Sequence, residues 1–161
     1  MKRLFTLLLF AALFAPSAAH DHEQARYMLQ DALTINGRVN EVLPAQQMVN
    51  ITTRGVEMDV PLDNLLFFDD RQIGLDELRP GKRVDARMPA GILGLEPAND
   101  DRLLWITVDG EQFARIAPKA LDNGVLSDQQ VTVLYADGCR QDASANEALR
   151  DEARDLVLVQ Q

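Results

Sequence analysis

The 161-residue sequence predicts a mainly β protein. Two related three-strand units make one or two small barrels, with a helix at each end of the exported chain. Three observations predict this. From Arg38 onward apolar and polar residues alternate with a period of two, as in half-buried strands. Glycines punctuate those runs at turn positions. The two halves also resemble each other: Ile51-Thr52-Thr53-Arg54-Gly55 parallels Ile106-Thr107-Val108-Asp109-Gly110, and Pro61-Leu62-Asp63-Asn64 parallels Pro118-Lys119-Ala120-Leu121.

The chain opens on the pattern of a secretory signal peptide over residues 1–19. Lys2 and Arg3 form a basic start, residues 4–14 are almost unbroken apolar, and Pro16 precedes the small residues Ser17-Ala18-Ala19. The apolar stretch is short for a membrane span, and no later segment is long and apolar enough to cross a bilayer once the signal is cut. Cleavage is expected after Ala19, which places the protein in the periplasm or outside the cell. The formal charge of −9 becomes more negative when Lys2 and Arg3 leave with the signal. Such an acidic surface repels phosphate backbones, so nucleic acid is not an expected partner.

The elements follow in order. Residues 20–34 read as a helix: Asp21 is a good N-cap, Gln24 stands three residues on, and Ala25, Met28, Leu29, Ala32 and Leu33 recur at helical spacing. Asn36-Gly37 marks its end. Residues 35–90 form the first β unit. In it Val49 and Ile51, then Val56, Met58 and Val60, then Val84, Ala86 and Met88 each alternate with polar neighbours. A long connector, Leu65-Leu66-Phe67-Phe68 followed by Asp69-Asp70-Arg71, sits inside it. Residues 91–138 form the second unit, with strands over 104–108, 111–116 and 131–135. The last is apolar on both faces and is expected to lie centrally. Residues 139–161 read as a C-terminal helix or tail. Ser144 and Glu147 make a capping box, and Ala145, Ala148, Leu149, Ala153 and Leu156 line one face. Residues 156–159 read equally as a strand.

The Gly37-Arg38-Val39 start, the strand pair around a glycine turn, and Leu75-Asp76-Glu77-Leu78-Arg79-Pro80-Gly81-Lys82-Arg83-Val84 together resemble small exported bacterial β-barrels of the OB or SH3-like kind. The resemblance covers residues 37–88 and, more faintly, 91–138. It implies a fold and no particular function, since such barrels host many. OB barrels often bind nucleic acid, but this chain is acidic and poor in aromatics for base stacking.

Candidate chemistry is sparse. The only histidines are His20 and His22, so cleavage after Ala19 creates a terminus beginning His20-Asp21-His22. A free amine, two backbone amides and an imidazole at the third position suit square-planar Cu(II) or Ni(II). Cys139 is the only cysteine, so the fold is held without an internal disulfide, and an exposed thiol there would permit a Cys139-linked dimer. The acidic pairs Asp69-Asp70, Asp76-Glu77 and Asp100-Asp101 lack calcium-loop spacing and read as solvated turns. There is no Gly-x-Ser-x-Gly elbow, phosphate loop or dinucleotide fingerprint. Trp105 falls out of phase with Leu104, Ile106 and Val108, and with Leu66, Phe67 and Phe68 it is a candidate interface residue. The expectation is a non-catalytic exported module that binds another envelope protein or component. The alternative is Cu(II) or Ni(II) binding at the new N-terminus.

Overall fold

The computed structural model describes residues 25–30, 33–66, 71–100, 102–126 and 129–159. It is mainly β, with one helix at the C-terminal end, and the sheet curls as a half-barrel. The strands are β1 (Arg26–Leu29), β2 (Leu33–Leu43), β3 (Met48–Thr53), β4 (Val56–Pro61), β5 (Leu65–Leu66), β6 (Arg83–Met88), β7 (Ile92–Pro97), β8 (Leu104–Val108), β9 (Glu111–Ile116), β10 (Gln130–Leu134) and β11 (Arg140–Ser144); the helix is α1 (Ala145–Val159). Among the described residues all eleven strands join one sheet in the order β11-β10-β1-β7-β8-β9-β4-β3-β2-β6-β5.

That order has an internal symmetry. The meanders β2-β3-β4 and β7-β8-β9 meet edge to edge where Met58 pairs with Ile116 and Asp59 with Arg115. Both inner hairpins turn on two residues at positive φ: Arg54 at 48° and Gly55 at 79° in one, Asp109 at 52° and Gly110 at 81° in the other. This is what a tight primed hairpin turn needs, and a glycine in the second place meets it without a Cβ penalty. After each meander a proline leads into a short 3₁₀ turn, Leu62–Asn64 in the first unit and Pro118–Asn123 in the second. The likeness stops at the third strand the sequence assigned to each unit: β6 borders β2 directly, whereas β10 is separated from β7 by β1. The units share one sheet and one continuous hydrophobic core, which includes Val49, Ile51, Met58, Ile106, Ile116 and Leu149.

The expected N-terminal helix over 20–34 is corrected. Its described part is strand: β1 pairs with both β10 and β7, and β2 begins at Leu33. The apolar residues satisfy both periods over so short a run. Tyr27 and Leu29, two apart, both enter the core, and β1 fills the gap between β7 and β10 that would otherwise leave two strand edges unpaired. The Asp21 and Gln24 capping residues lie outside the described residues. Gly37 is no helix stop but a strand residue of β2, where a Cβ would come within 2.8 Å of Ile51 Cδ1. The core accepts only a hydrogen at that position.

The C-terminal reading is corrected in part. Residues 140–144, placed in a helix or tail, are strand β11 against β10. The helix then runs through Val159, so its end is not a strand. Half of the capping box forms: Glu147 N–H donates to Ser144 Oγ at 3.3 Å, while the Glu147 carboxylate accepts from the Ser144 hydroxyl at 3.0 Å. Ala145, Ala148, Leu149 and Ala153 are buried, and α1 packs on β7, β1, β10 and the Pro118–Asn123 turn. Strand β10 lies inside the sheet, flanked by β1 and β11.

Candidate binding face

Alternation puts one face of the sheet in the core and frees the other for polar side chains. In β4, Val56, Met58 and Val60 are buried while Asp59 between them points outward. In β9, Ala114 and Ile116 are buried and Arg115 lies between them, half-buried. Cross-strand register then brings outward residues together. Trp105 of β8 stands opposite Arg115, Arg115 opposite Asp59, and Asp59 opposite Asn50 of β3.

The result is a side-chain ladder across five strands, hydrogen-bonded over four of them. Arg115 Nη2 and Nε donate to Asp59 Oδ2 at 2.6 and 3.1 Å, and Asn50 Nδ2 donates to Asp59 Oδ1 at 2.8 Å. Asn40 Nδ2 continues the ladder to Asn50 Oδ1 at 2.8 Å and Thr52 Oγ1 at 2.6 Å. A register shift between Val39 and Glu41 aims Asn40 at this row, the usual effect of a bulge on a strand. At the other end the Arg115 guanidinium sits 5.7 Å from the Trp105 ring centroid. The ion pair is largely sheltered, with side-chain exposures of 22% for Arg115 and 15% for Asp59, so it is rigid and screened less than a surface pair.

Two concavities flank Arg115. A cleft of about 770 Å³ is bounded by Asn50, Asp59, Leu103 and Lys119. A smaller pocket of about 330 Å³ lies toward Trp105, Gln46, Gln47 and Gln112. Amides, an indole and a neutralised ion pair can bind and orient a ligand.

The sequence-derived candidates do not converge here. Trp105 is on this face, but Leu66 is in β5, with five strands between β8 and β5. The two are therefore not neighbours in the sheet. Phe67 and Phe68 lie outside the described residues, as do His20, Asp21 and His22. Among the described residues no group of three or more His, Cys, Asp or Glu side chains is placed to hold a metal. Asp69, Asp70 and Asp101 lie outside the described residues; Asp76 and Glu77 sit in the Leu75–Glu77 3₁₀ turn and Asp100 in a bend. Asp100 bonds Arg102, whose hydrogen bonds hold its carboxyl below the usual range, and Glu77 bonds Arg71 with the same effect.

Cys139 follows a turn closed by Gly138 N–H to Tyr135 O at 2.9 Å, and it is exposed. Its thiol is therefore expected to label with a thiol reagent in the native state at the rate seen after denaturation. Protection until unfolding would contradict this placement.

Sequence reasoning missed Arg115, Asp59, Asn50, Asn40 and Gln112. Each is a polar residue at an outward strand position, but only register shows that they are neighbours.

A second buried polar feature lies under α1. The Glu152 carboxyl is pushed up to about 7, mainly by burial and then, in the same direction, by Asp155; a hydrogen bond from Leu95 N–H acts against this. Its Oε2 is buried without a hydrogen-bond partner. The Tyr27 hydroxyl beside it is pushed well above its ordinary value, by burial first and then by the Glu152 and Asp151 charges.

No family model, curated protein or solved structure matches this chain.

Proposed function

We propose that this chain is a non-catalytic binding or assembly module of the bacterial envelope, and that it engages its partner with the face built on Trp105, Arg115, Asp59 and Asn50. The Trp105-Arg115-Asp59-Asn50 ladder carries the reading. Its side chains are held in place by one another before any ligand arrives, and such preorganisation reduces the ordering cost of binding. An aromatic residue beside an arginine is also the composition of interface hot spots. The envelope location rests on the signal pattern of residues 1–19. Kinship with OB or SH3-like barrels belongs to the same proposal: the curled sheet and the Leu75 to Val84 segment support it.

The test is retention of the purified exported chain on a washed cell-envelope fraction. Trp105→Ala is expected to lower the retained fraction about five-fold or more, as a hot-spot truncation does. Phe67→Ala is expected to leave it unchanged. Loss with Phe67→Ala alone would move the interface to the connector, and retention indifferent to Trp105→Ala would sink the binding-face reading.

A further inference from the structure

We propose that the pocket between Trp105 and the Pro44–Gln46 turn is a subsite for one neutral, N-acetylated sugar unit of an envelope glycan. This rests on the binding-face reading and names its ligand chemistry. Size is the first argument. At about 330 Å³ the pocket is at the lower end of small-molecule sites, suited to a single ring more than to a folded partner's loop.

Charge is the second. Arg115 enters the pocket already matched by Asp59 at 2.6 Å and bonded to Gln46 Oε1 at 3.2 Å. The other charged lining residue is Asp63, which is exposed. An anion would face Asp63 and a chain of formal charge −9. A cation would find only Asp63, which is exposed and screened by solvent, as an uncompensated charge among the lining residues. A neutral ligand meets no like charge and needs no counter-charge.

Hydrogen-bonding capacity is the third. Among the described residues the Gln112 side-chain amide and the Trp105 indole N–H make no hydrogen bond. Gln47 uses its Nε2 on Pro44 O at 2.8 Å, which leaves its Oε1 as an open acceptor. The pocket thus offers donors and acceptors of amide type beside an aromatic wall. Sugar hydroxyls both donate and accept, an acetamido group pairs with a glutamine amide, and the C–H face of a ring packs against an indole.

Trp105 is the only tryptophan, so its fluorescence reads the pocket directly. Titration of the exported chain with chitotriose is expected to give a saturable emission change with a Kd of about 1 mM or tighter. Gln112→Ala, at an exposed site, is expected to weaken binding about 10-fold while far-UV circular dichroism stays unchanged. No saturable change up to tens of millimolar, or equal affinity in Gln112→Ala, overturns the proposal. If chitotriose does not bind while Trp105→Ala still abolishes envelope retention, the ligand class fails and the binding face stands. If retention is also indifferent to Trp105→Ala, both fail.

Discussion

Leu149→Ala is expected to cost about 3 kcal/mol of stability, the middle of the range for a fully buried leucine. Leu149 has no exposed surface and lies on the buried face of α1, between Ala148 and Ala153 in the packed row. Truncation removes transfer free energy and leaves a cavity that the helix can close only by shifting on the sheet. For a domain of this size the melting temperature should fall by roughly 10 °C. Val157→Ala, on the same helix but 46% exposed, should change stability by less than about 0.5 kcal/mol. Urea unfolding of the two variants checks both. A cost under about 1 kcal/mol for Leu149→Ala would mean that α1 is not docked as described.

Glu152→Gln is expected to stabilise the protein above pH 7 and to flatten its pH profile. The folded state raises this carboxyl from 4.5 to about 7, so between those values the native chain holds a proton that the unfolded chain has released. Stability therefore falls as pH rises through that window, and the full cost is present above it. Below 4.5 the group is protonated in both states and contributes no cost. A shift of this size corresponds to roughly 3 kcal/mol at full strength. The side chain is partly exposed, and screening brings the expected gain to about 1–2 kcal/mol. Glutamine keeps the shape and an oxygen for Leu95 N–H but carries no charge. Glu77 and Asp100 act in the opposite direction, since their arginine partners are lost as acid protonates them. The difference between wild type and variant isolates Glu152. Denaturant unfolding at pH 5 and pH 8 reads it, and parallel profiles would show that the Glu152 carboxyl is not buried between α1 and the sheet.

The ion pair at the centre of the binding face has a different physical character. Asp59 and Arg115 come from strands in opposite halves of the chain and are the outward residues of the short β4-β9 ladder that joins the halves. A half-buried pair of this kind is weak evidence of net stability, because desolvation offsets the attraction. What it supplies is register. A slip of one residue that turned Asp59 toward the core would turn Met58 and Val60 out to solvent.

Features that depend on local chemistry are legible along the chain. Period-two runs, the paired glycine turns and the Ser144 capping box locate most strands, both inner hairpins and the terminal helix, because each depends on neighbours within a few residues. The outward phase of Trp105 follows from the same alternation. Tertiary structure decided the rest. Residues 26–29 could meet either a helical or a strand period, and the open edges of β7 and β10 selected the strand. Whether the halves form one body or two depended on the β4-β9 pairing, made by residues far apart in the chain. The binding face depended on it too. Asn50, Asp59, Arg115 and Trp105 are unremarkable polar and aromatic residues along the sequence, and only cross-strand register, a non-local property, makes them neighbours.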